Sequence, residues 1–372
     1  MNLKLNQDGL NTLTKLLEQK DSNMEAADLY NSFLTDHYAD ITKETIHEFL
    51  RNGVAKEEDA YFTSLLLSLD LKPTDPDIEA LKASNGIDII KKQNPSLLLD
   101  NPYYKTIRIP KASKGSFTLD TNYFDSYEGF SFDDVYVNPK NYFEEKTSLG
   151  YFAQPINYLT LSEKGEVWMS ITPHEINTME EPIRKAHGKV VTYGLGLGYF
   201  AFMASSLSPV ESLTIVEKDK NLIKLFQDVL LPQFPGRDKI KIVEADAFSY
   251  MAHIAPKENF AFSFFDIYHT ADDGLLSYLK AKNLESLSGK TEYSYWIERS
   301  LLALLRRYFL SLLEESELGY TEKDYLNPGT DEEKILLALF RATENTEITT
   351  SEELLSFLQD DSLKQIAAKA KI

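Results

Sequence analysis

The feature that most constrains the fold is an apolar, strand-like run that leads into three glycines at alternate positions. Residues 190–193 read Val-Val-Thr-Tyr and are followed by Gly194, Gly196 and Gly198, after which the sequence becomes compatible with a helix. Glycine has no Cβ, so such a segment can turn sharply or let a ligand approach its backbone N–H groups. The segment predicts a strand, a tight turn and a helix. A bound ligand and a tight turn without a ligand are alternative reasons for the glycines.

The residues around this turn alternate between apolar runs and helix-compatible segments. Strands are predicted at 190–193, 213–216, 240–243 and 260–265, and helices at 199–207, 222–231, 247–254 and 272–281. Such alternation is typical of a parallel sheet with crossover helices. We therefore expect an α/β fold, with a Rossmann-like, doubly wound, mostly parallel sheet in a domain that spans residues 173–289.

Three further regions flank this domain. Residues 1–102 have apolar side chains at helical spacing and predict a helical N-terminal region. Residues 103–172 are dense in tyrosine and phenylalanine and predict a small β-rich region, in which residues 162–165, Ser-Glu-Lys-Gly, form a hairpin turn. Residues 290–372 predict a helical C-terminal region, and either helical region could dimerise or cover an acceptor site.

Composition narrows the class of protein. The chain has 372 residues, 43% of them hydrophobic, which suits a globular protein with a substantial core. Its 58 acidic and 39 basic residues give a net charge of −19, which argues against nucleic acid as a partner. There is no cysteine, and no pair of histidines has the spacing of a metal site, so we expect no metal. The absence of a signal peptide or membrane-length apolar run predicts a cytoplasmic protein without membrane contact.

Acidic residues follow the next three predicted strands in order. Glu217 ends the second strand, and its two carboxylate oxygens suit the hydroxyls of a ribose. Asp246 follows the third, where it could accept from an adenine amino group, cap the next helix, or do both. Asp266 follows the fourth strand. The carboxyl ends of parallel strands line one crevice, so this series predicts a nucleoside site.

This series resembles the motifs of class I S-adenosylmethionine-dependent methyltransferases. The three glycines match the first motif, residues 215–219 the second, Asp246-Ala247 the third and Phe265-Asp266 the fourth. The resemblance covers about residues 185–284. It implies S-adenosyl-L-methionine as cofactor, with the donor bound by Gly194, Gly196, Gly198, Glu217, Asp246 and Ala247.

The same resemblance implies methyl transfer to a small molecule or a protein. Asp266 would then lie near the sulfonium or the acceptor, as a base or as a positioning group. Tyr268 and His269 are candidates for orienting the acceptor, with packed loop residues as the alternative interpretation. Abundant acidic residues favour a cationic or neutral acceptor.

Three other functions are alternatives to methyl transfer. The hairpin, the segment Trp168–Glu175 and the glycine turn are similar in layout to spermidine synthases, which share the fold and use the decarboxylated donor. Aminopropyl transfer is therefore the second hypothesis. Gly196, Gly198 and Ala201 also fit a relaxed dinucleotide fingerprint, which would imply NAD. The last alternative is a non-catalytic nucleoside-binding or scaffold protein.

Overall fold

The computed structural model describes residues 2–72, 90–325 and 328–372. The helices are α1 (Gln7–Ser32), α2 (Lys43–Arg51), α3 (Glu57–Ser68), α4 (Ser96–Leu99), α5 (Pro102–Thr106), α6 (Pro173–Lys185), α7 (Tyr199–Ser205), α8 (Lys220–Val229), α9 (Ala247–His253), α10 (Ala255–Glu258), α11 (Ala271–Leu284), α12 (Glu298–Glu317), α13 (Asp331–Ala342), α14 (Ser351–Phe357) and α15 (Asp360–Ala367). A π-helical segment, Phe33–His37, continues α1.

The strands belong to several sheets. They are β1 (Asn2–Leu3), β2 (Ile90–Lys92), β3 (Ala112–Lys114), β4 (Phe117–Phe124), β5 (Gly129–Ser131), β6 (Tyr136–Asn138), β7 (Glu144–Lys146), β8 (Leu149–Tyr151), β9 (Ile156–Glu163), β10 (Glu166–Ile171), β11 (Gly188–Tyr193), β12 (Val210–Glu217), β13 (Ile240–Glu244), β14 (Phe262–Phe265), β15 (Glu292–Tyr295) and β16 (Glu347–Ile348). The fold is mixed α/β, as the sequence predicts.

The central sheet is parallel. Its order is β13-β12-β11-β14-β15, so the chain starts in the middle, moves outward to one edge, and then crosses to the other. Every neighbouring pair in this sheet runs parallel. Residues 190–193 of β11 and all four residues of β14 are buried, and all but Thr192 and Ser263 are apolar, as expected for strands covered on both faces. Because the strands are parallel, all their carboxyl ends lie along one edge of the sheet.

One strand of this sheet was not predicted. Residues Glu292–Tyr295 lie in the predicted C-terminal helical region, but in the structure they pair with β14 as strand β15. These residues alternate between polar and aromatic side chains in a short edge strand, and Glu292 is exposed. Four alternating residues beside a long helix give a weak sequence signal, and the pairing with β14 decides their conformation.

The β-rich region covers part of the central sheet's carboxyl edge. An antiparallel sheet has the order β10-β9-β4-β3, and its β9–β10 hairpin confirms the predicted turn. Lys164 and Gly165 both have positive φ there, as a tight primed turn requires. Strand β2 pairs with β8, and β1 pairs with β16, so strand pairs cross the predicted boundaries of the helical regions.

Buried side chains from all four predicted regions form one contiguous core, which includes Leu13, Phe117, Val190 and Phe309. A second, smaller cluster packs around Tyr61 and Tyr151, whose rings stack with centroids 4.2 Å apart. The division into four domains stays a prediction. None of the helices in the described ranges combines the length and apolar character that crossing a membrane requires.

The start of α12 is held by a residue distant in sequence. The carboxylate of Asp134 accepts the backbone N–H groups of Arg299 and Ser300, each at 3.1 Å, and also the Ser300 hydroxyl. The first N–H groups of a helix have no partner within the helix, so Asp134 acts as its cap. This contact fixes α12 directly after β15 and therefore supports one edge of the central sheet.

We expect Asp134→Ala to lower the free energy of unfolding by about 2 kcal/mol, because two helix N–H groups lose a charged acceptor. Urea denaturation measures the change. Asp133→Ala is the matched control: its ion pair with Arg299 is solvent-exposed, and its loss should cost less than about 1 kcal/mol. Equal costs for the two variants would show that the cap contributes little.

Candidate functional site

The glycine turn follows β11, and each glycine has a positive φ: +95° at Gly194, +48° at Gly196 and +72° at Gly198. An added Cβ would lie 1.9 Å from the Asp266 carbonyl oxygen at Gly194, and 2.1 Å from the Met169 sulfur at Gly196. At Gly198 it would lie 2.4 Å from a ring carbon of Phe226. Backbone conformation therefore favours glycine at all three positions whether or not a ligand is bound, and at Gly194 a backbone atom also excludes a side chain.

A cavity of about 780 Å³ opens at the carboxyl edge of the central sheet. It brings together most of the residues singled out from the sequence: Gly194, Gly196, Glu217, Asp246, Ala247, Asp266, Tyr268 and His269. Gly198 instead lies behind the turn, against α8. The volume is in the range of small-molecule sites. The roles assigned to these residues remain predictions.

Glu217 connects the end of β12 to the glycine turn. One carboxylate oxygen accepts the N–H groups of Lys218 at 2.7 Å and Asp219 at 2.8 Å. The other accepts the N–H of Leu195 at 3.3 Å. Burial raises the pKa of Glu217 above its ordinary value, and these bonds oppose that rise. The carboxylate therefore organises the turn and still borders the cavity.

Asp246 caps α9, which confirms one of its two proposed roles. Its carboxylate accepts the N–H of Ser249 at 2.9 Å. It also lines the cavity beside Ala247 and Phe248. An aspartate next to an aromatic ring suits the amino edge and the face of a purine.

Asp266 follows β14 and borders the cavity without an ion-pair partner among the described residues. Burial raises its pKa to about 7. Glu175, in the first turn of α6, borders the same cavity, and its Oε2 atom is buried without a hydrogen-bond partner in the described structure. Burial, and secondly the charge of Asp266, raise the pKa of Glu175 well above its ordinary value. Two carboxyl groups in electrostatic contact therefore share this end of the cavity.

The two other predicted catalytic residues, Tyr268 and His269, differ in whether their side chains are free to contact a ligand. The Tyr268 hydroxyl donates to the carbonyl of Trp296 at 2.7 Å, and burial raises the tyrosine pKa well above its ordinary value. That hydroxyl is occupied in joining the loop after β14 to the end of β15. His269 is exposed, and its ring meets the ring of Trp168 edge-on at 4.0 Å. His269 is thus available to solvent and ligands.

Sequence reasoning missed the residues that reach the cavity from outside the parallel sheet. These are Phe117, Glu163, Val167, Trp168, Met169, Ser170, Glu175, Phe248, Ser277 and Trp296, with others next to the predicted residues. The hairpin and α6 supply several of them, and their approach depends on long-range packing. A signal was present in the segment Trp168–Glu175, which precedes the glycine turn and combines aromatic, sulfur and carboxyl side chains.

The cavity is strongly acidic. Its lining residues include six carboxyl groups, those of Glu163, Glu175, Glu217, Asp219, Asp246 and Asp266. Lys218 is the lysine among the lining residues, and no arginine is among them. A cleft that is lined mainly by acidic groups attracts cationic ligands. The arrangement places hydrogen-bond acceptors at the strand ends and two carboxyl groups, those of Asp266 and Glu175, at one end of the cavity.

No protein-family model matches the sequence, and comparison with curated proteins gives no match. Among solved structures, spermidine synthase from Thermotoga maritima is 16% identical, with a TM-score of 0.30, over 43% of this chain and 60% of that protein. A spermidine synthase in complex with the transition state analogue AdoDATO is 19% identical, with a TM-score of 0.26, over 34% of this chain and 48% of that protein. The chain thus spans less than two thirds of either protein. No family match supports either resemblance.

Proposed function

We propose that the protein is a transferase that binds an S-adenosyl sulfonium donor and acts on a small-molecule amine. The observation that carries this proposal is one cavity that gathers the glycine turn, Glu217, Asp246 and Asp266 at the carboxyl edge of a parallel sheet. The strand order, with the first strand in the middle, supports a Rossmann-like sheet, in which ligands bind at this edge. Glu217 would hold the ribose, and Asp246 and Ala247 the adenine.

The charge of the cavity favours aminopropyl transfer over methyl transfer. The methionine end of S-adenosylmethionine carries a carboxylate, which would meet the carboxyl groups of Asp266 and Glu175 without an arginine beside it. The decarboxylated donor carries only an ammonium group there and complements these residues. Methyl transfer is the second candidate, because the glycine turn, Glu217 and Asp246 suit the adenosine of either donor.

The chain's own residues would hold the acceptor and move its proton. The donor supplies a carbon made electrophilic by positively charged sulfur. An alkyl amine is protonated near neutral pH and must lose a proton before it can act as a nucleophile. Asp266, with a pKa of about 7, can accept that proton near neutral pH. Glu175 would hold the same ammonium group from the side of α6.

Product analysis tests this proposal. The purified protein is incubated with S-adenosylmethionine or its decarboxylated form and a panel of amines, and products are separated by mass spectrometry. Methylthioadenosine with an aminopropylated amine would support the proposal. S-adenosylhomocysteine would establish methyl transfer instead. A parallel titration with the same donors and with NAD covers the alternatives. Donor binding without any product would identify a non-catalytic nucleoside-binding protein, and preference for NAD would identify a dinucleotide enzyme.

We expect Glu217→Ala to weaken donor binding about 100-fold, because the ribose and the Leu195 N–H both lose a charged acceptor, each worth about 1.5 kcal/mol. Isothermal titration calorimetry with methylthioadenosine, which has the ribose but lacks the charged end of the donor, measures the change. Glu211→Ala is the matched control, since Glu211 is an exposed residue near the other end of β12. Unchanged affinity in Glu217→Ala would exclude the ribose assignment.

A further inference from the structure

The β9–β10 hairpin lines the cavity with residues 167–170, of which Met169 contacts the glycine turn and Trp168 contacts His269 at the cavity mouth. Val167 pairs with Ser162 and Met169 with Leu161, which leaves Trp168 unpaired in a β-bulge. A bulge changes the direction of the side chains around the extra residue. In a regular strand, neighbours point to opposite faces, yet Trp168 and Met169 both line the cavity. The bulge therefore gives one short segment two contacts with the same site.

Met169 packs into the space that Gly196 leaves open. Its sulfur accepts the N–H of Leu197 at 3.2 Å. It also lies 2.1 Å from the position that a Cβ on Gly196 would occupy. No side chain can be added at Gly196 unless Met169 moves. The thioether thus fixes the position of the Gly196–Leu197 peptide, next to the proposed donor site.

Trp168 is placed at the cavity mouth. Its side chain is 44% exposed, although tryptophan is usually well buried. Its ring meets His269 edge-on, with centroids 4.0 Å apart, and His269 belongs to the loop that begins at Asp266. The pair therefore joins the hairpin to the loop that carries the proposed base.

We propose that Met169 is a positioning residue for the glycine turn, and that the β9–β10 hairpin couples this turn to the Trp168–His269 pair at the mouth of the cavity. The inference rests on the proposed function, because it requires an adenosyl group at the glycine turn. A ligand that orders the turn fixes Met169, and Met169 fixes the bulge next to it. Binding of the donor then changes the position of the Trp168–His269 pair, at the cavity mouth through which an amine enters. By reciprocity, an amine held at the mouth strengthens donor binding by the same factor.

Tryptophan fluorescence tests the coupling. Trp168 and Trp296 are the two tryptophans of the chain, so the difference between native protein and Trp168→Phe isolates the Trp168 signal. The probe is methylthioadenosine, which lacks the charged end of the donor. We expect it to change the Trp168 signal in the native protein. In Met169→Ala we expect that change to be lost and the dissociation constant to rise about tenfold.

Met169→Leu keeps the bulk of the side chain and removes the sulfur that accepts the Leu197 N–H. It should recover part of the Trp168 response and part of the affinity, and it provides a second variant if Met169→Ala folds poorly. A native Trp168 response and native affinity in Met169→Ala would overturn the coupling. If no adenosyl compound binds the native protein, the donor assignment fails first, and the coupling fails with it.

A double-mutant cycle separates a direct contact from general destabilisation. Gly196→Ala forces Met169 away in the native background, but in Met169→Ala that clash is absent. The rise in the methylthioadenosine dissociation constant caused by Gly196→Ala should therefore be about tenfold smaller in the Met169→Ala background. The strain of a positive φ at residue 196 is common to both backgrounds and cancels. Additive effects would show that Met169 does not act through the turn.

Discussion

Replacing Asp266 by asparagine is expected to lower kcat by about 10²–10⁴-fold, the usual contribution of a positioned acid or base. Asparagine has nearly the same shape but cannot accept the proton of an ammonium group. In the native protein kcat/KM should rise with pH until the carboxyl of Asp266 is ionised, since its pKa is about 7. In Asp266→Asn the inflection near pH 7 should disappear, and the remaining rate should follow only the fraction of amine that is unprotonated in solution. Steady-state rates of adenosyl product formation across this pH range measure both effects.

The same substitution should stabilise the fold, which distinguishes lost chemistry from lost structure. The pKa of Asp266 is about 7 when folded, against an ordinary value of 3.8. Between these values the folded state keeps a proton that the unfolded state has released, so stability falls as pH rises through this window. Asparagine does not titrate and avoids this loss. The gain in Tm of Asp266→Asn should therefore be larger at about pH 8 than at about pH 5.

Asp238→Asn is the control for these measurements, because that side chain is 98% exposed and does not line the cavity. It should change neither the rate nor the pH dependence of Tm. Native turnover in Asp266→Asn would remove Asp266 from the mechanism. A lower Tm for this variant at both pH values would indicate that the carboxylate supports the fold through contacts that its charge requires.

The parallel sheet and its acidic edge could be predicted because their signals are local. Strands β11, β12 and β14 each contain four consecutive residues that are mostly apolar, interrupted only by a threonine or a serine, and a buried parallel strand has that appearance in any sequence. The residue after such a strand lies at the carboxyl edge by geometry alone. The positions of Glu217 and Asp266 therefore follow from strand prediction, without knowledge of any tertiary contact.

The rest depends on contacts between distant segments. Strand β15 forms because it pairs with β14 at the edge of the sheet, whereas its own four residues give only a weak strand signal. Glu175 reaches Asp266 across 91 residues of sequence, through the packing of α6. The glycines show the same limit: sequence predicts that a Cβ is excluded at Gly196 but not that the sulfur of Met169 excludes it.

Gly194→Ala is expected to lower the free energy of unfolding by about 3–5 kcal/mol, because a backbone atom occupies the space that a side chain needs. The added Cβ would lie 1.9 Å from the carbonyl oxygen of Asp266. A backbone oxygen cannot rotate away, so β11 and β14 would have to separate at their ends. The Asp266 N–H bonds to the carbonyl of Tyr193 at 3.0 Å there, and this bond would be strained as well. Urea denaturation measures the cost, and calorimetry with an adenosyl ligand should show weaker binding.

Gly165→Ala separates the clash from backbone strain. Gly165 has φ of +94°, against +95° at Gly194, and no atom lies within 4 Å of its Cβ position. Alanine at residue 165 therefore meets the left-handed strain alone, about 1–2 kcal/mol. The remaining cost at residue 194 is the clash with Asp266. If both variants lose the same stability, backbone strain accounts for the whole effect, and the close approach of β14 does not require the glycine. If Gly194→Ala is far less stable, the first glycine is explained by the neighbouring strand before any ligand is considered.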